Sequence, residues 1–413
     1  PAEIFFLGVD RVCFLRFSRV GRSMTLNLLL YSYDWLPLVG GIQSVTADLA
    51  QGLCEFSNTH KDERVRVTLI TESAAEGMDD SKLPFPVIRR PRLTKLIDHI
   101  RRADVVHFAN PTLLPLALAW LLRKPTIVGH NGYQSICPNG LLLYGPNTSI
   151  CPGHFMAGRY GKCFECNTAK MGRASTWRNI IFTFPRRWLC KHATVNVAVS
   201  NHVARRIVLP RTRTIFHGIK VTNAAEESPS DVDPPRIGYV GRLVTEKGIP
   251  VLFKAARKLC DDGLCFHLAL IGDGAERQNL EREALRLGLQ DRITFTGYLS
   301  GTPFEEAVRA LRVLVMPSQW EETAGLAAME KMMGGGLVIV ADVGGLSEVV
   351  GGAGLKFAPG DVDTLYTQLR HVLEQPSIVA TVRSAARARA LKHFNRDTMI
   401  QNHIELYREV SSQ

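Results

Sequence analysis

Glu322 and Glu330 stand eight residues apart and bracket Thr323-Ala324-Gly325-Leu326, while Arg242 and Lys247 follow Gly241 further upstream. A carboxylate accepts hydrogen bonds from the hydroxyls of a sugar or a ribose, as acidic residues do in dinucleotide sites. Arginine offers a phosphate a planar fork of donors and lysine a point charge. Ala324 and Gly325 carry no bulk that would keep an anion from the free amides of a following helix start. With Gly272-Asp273-Gly274 and Gly297-Tyr298, these residues read together as a site for a nucleoside diphosphate and the carbohydrate attached to it.

Short apolar runs must position them. Arg236 to Val240 stops at Gly241 and leads to a helical pattern from Pro250 to Cys260; His267 to Ile271 stops at Gly272; Ile293 to Phe295 stops before Gly297; Val313 to Pro317 precedes Glu322. Strands alternating with helices imply an α/β domain with a parallel sheet, whose ligands lie beyond the carboxyl ends of the strands. Gly272 and Gly274 would let a ligand approach the backbone, and read equally well as an ordinary strand-to-helix turn. The helix that carries Glu330 is expected from Ala324 to Met333.

The stretches GRLVTEKG (Gly241 to Gly248), LIGDG (Leu270 to Gly274), FTGYLS (Phe295 to Ser300), MPSQWEETAGLAAMEKMMGGG (Met316 to Gly336) and VGGLSEVV (Val343 to Val350) resemble the retaining family 4 glycosyltransferases. That resemblance runs through almost the whole second half of the chain. It implies the GT-B architecture, two facing Rossmann-like domains with a cleft between them. It further implies that Arg242 and Lys247 bind the donor's diphosphate and Glu322 the transferred sugar. Ala324, Gly325 and Leu326 would hold sugar and phosphate through backbone amides, and Glu330 the ribose. Ala324 stands where the family commonly has an aromatic residue, a difference that bears on the donor sugar. The reaction implied is transfer of a sugar, with retention, from a UDP- or GDP-sugar to a hydroxyl of a glycan, lipid-linked or polysaccharide acceptor. No Asp-x-Asp pair stands beside the two cations, so no cofactor is expected for catalysis. A nucleotide-sugar epimerase of the same architecture and a non-catalytic nucleotide-sugar-binding protein are the alternatives. A full G-x-G-x-x-G with its acidic partner, the mark of a dinucleotide dehydrogenase, is missing.

A chain of 413 residues suits two ordinary domains. Residues 1–218 hold 28 Lys and Arg against 14 Asp and Glu, or +14, and residues 219–413 hold 22 against 25, or −3. We expect an upstream extension of little order over 1–23, with Met24 as the natural start, and an N-terminal Rossmann-like acceptor domain over 24–218. A linker over 219–235, a C-terminal nucleotide-sugar-binding domain over 236–392 and a final helix over 393–413 that crosses back would complete the chain. In the first half, Gly41 belongs to a glycine pair between the strand Thr25 to Ser32 and the helix Ile42 to Phe56, where the family has a glycine pair near the donor phosphate. Two strand ends carry histidines, His107 and His130. His130, in GHNGY, lies where the family places a histidine beside the transferred sugar, and is the preferred catalytic candidate with Glu322.

Cys137, Cys151, Cys163 and Cys166 cluster in a Gly- and Pro-rich stretch over 137–166 that ends in CxxC. Four thiols so placed fit a structural zinc site, or secondarily an iron–sulfur cluster, with free thiols as the plain alternative. No residue from Asn167 to Ala225 is acidic, yet Lys170, Arg173, Arg178, Arg186, Arg187, Lys191, Arg205, Arg206, Arg211 and Arg213 occur there among aromatic residues. Over 170–213 the chain suits an anionic membrane surface or, equally, a plain solvated basic face, with nucleic acid a competing partner that the family resemblance disfavours. No apolar run reaches the ~20 residues that span a bilayer. The expected location is cytoplasmic, peripheral on the inner face of the membrane.

Overall fold

The computed structural model describes residues 24–37, 40–146, 148–221, 233–375 and 377–412. The expected extension over 1–23 and most of the expected linker lie outside them. Apolar runs become the strands β1 (Met24–Ser32), β2 (Glu63–Thr71), β3 (Val87–Arg89), β4 (Val105–Phe108), β5 (Thr126–His130), the short pair β6 (Leu143–Tyr144) and β7 (Ser149–Ile150), β8 (Val195–Ala198) and β9 (Thr212–Thr214). In the second half they become β10 (Arg236–Val240), β11 (His267–Ile271), β12 (Ile293–Gly297), β13 (Val313–Met316), β14 (Leu337–Ala341) and β15 (Leu355–Phe357).

Two sheets result. One runs β3-β2-β1-β4-β5-β8-β9 and the other β12-β11-β10-β13-β14-β15, every pairing parallel. In each, the strand order reverses direction beside the first strand in sequence, β1 or β10. That reversal opens a crevice at the carboxyl ends of the strands. Gly40-Gly41 follows β1 and Gly241-Arg242 follows β10, so both turns lie at such a crevice. Strands β4, β5, β8, β13 and β14 are buried along their whole length, because helices cover both faces of a parallel sheet.

Three elements differ from expectation. The helix carrying Glu330 begins at Leu326, so Ala324 and Gly325 precede it. Part of the expected loop over 137–166 is helical: Tyr160–Met171 carries both Cys163 and Cys166. A second helix, Arg173–His192, continues into the basic stretch. Its polar residues and Pro185 obscure the apolar period in the sequence, and packing of Thr176, Ile180 and Thr183 fixes it.

The last helix, Arg396–Ser411, packs Met399, Ile400, Ile404 and Tyr407 with Val45, Leu49 and Leu53 of the Gly41–Thr59 helix in one core under the first sheet. Three buried histidines meet there. The His107 and His403 rings stack at 5.6 Å, His107 Nδ1 lies 2.8 Å from the Tyr407 hydroxyl, and His217 joins both in lining a small cavity. Burial pushes His107 down to about 3 and His217 and His403 to about 4, from an ordinary 6.5. Depressed histidine values mean that the unfolded chain binds more protons than the folded one. Stability from this cluster is complete above pH 6.5 and is lost as pH falls towards 4. The thermal midpoint is expected to drop steadily between pH 7 and pH 5, and replacing His107 and His403 together by Phe should flatten that slope; a wild-type midpoint independent of pH in that window would contradict the assignment.

Candidate active site

A cleft of about 650 Å³ lies between the two sheets. From the first half it takes Gly40, Gly41, Ile42, Asn131 and His217, and from the second the turns after β10, β11 and β12 together with residues 322–327 and Glu330. Gly41, Arg242, Lys247, Gly272, Tyr298, Glu322, Ala324, Gly325, Leu326 and Glu330 all line it. Residues separated by nearly 300 positions in sequence are thus brought to one surface.

Two helix starts face each other here. The Gly41–Thr59 helix begins behind Gly40 and the Leu326–Met333 helix behind Gly325, and neither N-cap supplies a side chain to the first amides. A Cβ on Gly41 would lie 3.0 Å from the Leu326 side chain, which shows how closely the starts approach. Uncapped amides and the helix dipole favour an anion between them. Arg242 is exposed beside them, and its own carbonyl accepts a 2.7 Å hydrogen bond from Tyr239, which fixes the turn. Lys247 Nζ lies 2.9 Å from Glu322 Oε1 and 5.7 Å from the centre of the Trp320 ring. Ser318 donates to the same carboxylate oxygen.

Glycine is required where the turns after β10 and β11 touch. At Gly272, φ is +133° and a Cβ would fall 2.1 Å from the carbonyl oxygen of Gly241. At Gly274 a Cβ would fall 2.3 Å from the carbonyl oxygen of Leu243. Gly274 does not line the cleft; its part is to let the two turns pack. Both glycines therefore shape the floor through backbone contact.

Glu322 is held by its neighbours in sequence. Glu321 is buried against Arg206, with Nε to Oε2 at 2.7 Å, and His202 lies 3.6 Å away. The Thr323 carbonyl accepts from Ser200 Oγ at 2.6 Å, and Thr323 Oγ1 donates to the Asn131 carbonyl at 3.2 Å. Glu348 accepts from the backbone N–H groups of Asn201 and His202 at 3.3 and 3.0 Å. All these contacts join the first half to the second and hold the segment before the Leu326–Met333 helix against the opposite wall. Sequence reading overlooked Glu321, although the doubled acid Glu321-Glu322 marks it.

His130 is not brought into the cleft. It is fully buried, with Nε2 2.9 Å from Asn196 Oδ1 and Nδ1 3.5 Å from Ser135 Oγ, and burial pushes it down to about 4, so the ring is neutral. Its neighbour Asn131 lines the cleft instead. Asn131 Nδ2 donates to the Ala109 carbonyl at 2.7 Å, while its buried Oδ1 has no hydrogen-bond partner among the described residues. An unpaired buried acceptor is costly and suits a hydroxyl from a ligand. His217 is a second lining residue missed at the sequence level.

Glu330 lies at the other end of the cleft, where burial first and Asp48 second push its carboxyl up to about 7. A carboxylate that receives hydroxyl hydrogen bonds is favoured in its charged form. A ligand that donates to Glu330 should therefore bind better as pH rises through 7, with its KM falling between pH 6 and pH 8. Glu330→Gln should remove that dependence; a KM flat across this range in the wild-type enzyme would refute the role.

Among the described residues no group of three or more His, Cys, Asp or Glu side chains is arranged to hold a metal ion. Cys137, Cys151 and Cys163 are buried and Cys166 half-buried. Cys137 Sγ lies 3.0 Å from Asn139 Oδ1, and Cys166 Sγ accepts from the Gly145 N–H at 3.3 Å. Burial holds the thiols of Cys137, Cys163 and Cys166 above the usual range, and so protonated.

Two parallel, doubly wound sheets facing each other across a cleft define the GT-B architecture. The fold matches the Anabaena protein HepE solved with UDP at a TM-score of 0.71, with 18% identity over 93% of this chain and 100% of that one. It matches sucrose-phosphate synthase from Thermosynechococcus elongatus at 0.68, with 21% identity over 94% and 98%. Residues 221–389 match the family described as glycosyl transferases group 1. Among curated relatives, 2-deoxystreptamine glucosyltransferase of Streptomyces kanamyceticus is 39% identical over 155 residues, 37% of this chain and 40% of the relative. Sulfoquinovosyl transferase SQD2 of Arabidopsis thaliana is 32% identical over 189 residues, 45% of this chain and 34% of the relative. The chain thus spans well under half the length of these two proteins.

Proposed function

We propose that the protein transfers a sugar, with retention of anomeric configuration, from a nucleoside-diphosphate sugar to a hydroxyl of a glycan or lipid-linked acceptor. The observation that carries this reading is the convergence of Arg242, Lys247 and two uncapped helix starts on one cleft that also holds Glu322 and Glu330. The solved relative HepE was captured with UDP, and with UDP-glucose in another complex. Both named curated relatives are sugar transferases.

The bond to the leaving diphosphate breaks as negative charge grows on its oxygen. Arg242 and Lys247 stand where they stabilise that charge, together with the amides of the Leu326–Met333 helix. These groups supply the counter-charge from the protein itself, so activity should persist in the presence of a chelator. Glu322 accepts from the transferred sugar and thereby orients its anomeric carbon. Asn131 Oδ1, unpaired and buried across the cleft, accepts a further hydroxyl in the place first assigned to His130. Glu330 accepts from the ribose.

Incubation with UDP-, GDP- and ADP-sugars and a panel of glycan and lipid-linked acceptors tests the reaction. The expected result is acceptor-dependent release of nucleoside diphosphate and an α-product from an α-donor, by proton NMR. An isomerised nucleotide sugar formed from donor alone would replace transfer by epimerisation. Tight donor binding with no turnover on any acceptor would leave a binding protein. The cysteine-rich segment is proposed, separately, to take up a structural zinc on its four thiols, which requires Cys137 and Cys166 to give up their contacts with Asn139 and Gly145. One zinc per chain by elemental analysis is expected, and a metal-free folded protein would leave them as buried thiols.

A further inference from the structure

The basic stretch is not one uniform surface. Arg186, Arg187 and Arg211 donate to backbone carbonyls, Arg206 pairs with Glu321 and Arg213 with Glu409, so half of its ten cations serve the fold. Lys170, Arg173, Arg178 and Lys191 remain exposed, and none is paired with a carboxylate among the described residues.

Those four border a half-exposed apolar stripe. On the Arg173–His192 helix, Trp177, Ile181, Phe184 and Trp188 are 51%, 55%, 47% and 44% exposed. Their spacing of four, three and four residues places them within a band about 60° wide at 100° per residue. Thr176, Ile180 and Thr183 are buried on the adjoining face. Phe184 touches Phe155 and Tyr160, and Trp177 touches Phe164, yet both rings stay about half exposed. Arg173 and Lys191 continue the same band at its two ends. Trp188 packs edge-on against Trp120, ring centres 4.9 Å apart, which joins the stripe to exposed Leu114 and Leu121 of the Leu113–Leu121 helix.

From this face we infer a docking surface for an anionic lipid bilayer. It rests on the exposed helices alone and stands independently of the transfer reading. Side chains such as Ile181, Leu114 and Leu121 need an apolar volume to enter, which the phosphate backbone of a nucleic acid lacks. A second copy of the chain would bring the same four cations against themselves. An anionic bilayer offers both complements, hydrocarbon for the stripe and lipid phosphate for the flanking cations. Contact is superficial, since no helix among the described residues is long and apolar enough to cross a membrane. The same unit supports the loop beside the cleft: Arg186 donates to the Gln134 carbonyl, three residues from Asn131.

Co-sedimentation of the full chain with phosphatidylcholine vesicles, with and without phosphatidylglycerol, tests this. Binding is expected only to the mixed vesicles, with a salt-dependent loss and a blue shift in tryptophan emission. Trp177→Ser with Ile181→Ser, and separately Arg173→Glu with Arg178→Glu, should each lower partitioning at least tenfold while cooperative thermal unfolding is retained. Equal binding of the apolar variant and the wild type would overturn the stripe's role. Failure to bind mixed vesicles overturns the proposal outright, and a dimer in sedimentation equilibrium that Trp177→Ser dissolves would assign the face to a second copy.

Discussion

Lys247→Ala is expected to lower kcat/KM for the nucleotide-sugar donor by about 10²–10³-fold, the loss that follows removal of one fixed stabiliser of a developing anion. The residue has two tasks. Its ammonium lines the cleft proposed for the diphosphate, and it also pairs with Glu322, whose side chain is only 7% exposed. Alanine leaves that carboxylate buried without its cation, which costs stability as well as rate. The two effects separate in a double variant: Lys247→Ala with Glu322→Gln should recover much of the lost thermal stability and none of the activity. Lys247→Arg keeps the charge and should retain more activity than Lys247→Ala. A Lys247→Ala enzyme within a few-fold of wild type would show that this cation does not meet the leaving group.

Gly272→Val is the second large effect. A side chain there needs a positive φ that valine resists, and its Cβ would overlap the carbonyl oxygen of Gly241. Neither partner is a flexible side chain that can swing away, so the turns after β10 and β11 must separate. Overpacking of this kind costs about 1–3 kcal/mol, and a β-branched residue held at positive φ adds about 1–3 kcal/mol more. The turn it displaces carries Arg242. Nucleoside diphosphate binding, read by calorimetry, should be lost below the detection limit in protein that still melts cooperatively. Retained affinity would show that the floor of the cleft is not built on this contact.

The ends of β10, β11 and β12 were legible because glycine cuts each apolar run where the backbone must turn sharply, at Gly241, Gly272 and Gly297. Lys247 and Glu322 were legible as chemistry, although their direct pairing depends on a tertiary contact across 75 residues. His130 lies off the cleft wall for a physical reason. A strand buried on both faces shows no polar alternation, so nothing in Thr126–His130 tells which end residue turns to the cleft and which to the interior. The structure turns His130 inward to Asn196 and leaves Asn131 at the cleft. Glu321 was hidden by the opposite problem, since an acid beside another acid reads as surface charge until Arg206, 115 residues away, is folded against it. The helix Arg173–His192 was obscured because its apolar residues form two stripes, and two stripes blur a single period.

Calorimetric titration with UDP, GDP and ADP in the presence of a chelator tests the central claim most directly. One of the three is expected to bind with unit stoichiometry, and Arg242→Ala and Lys247→Ala should each weaken that binding at least tenfold. Heats indistinguishable from dilution for all three nucleotides, in folded wild-type protein, would contradict a diphosphate site in this cleft.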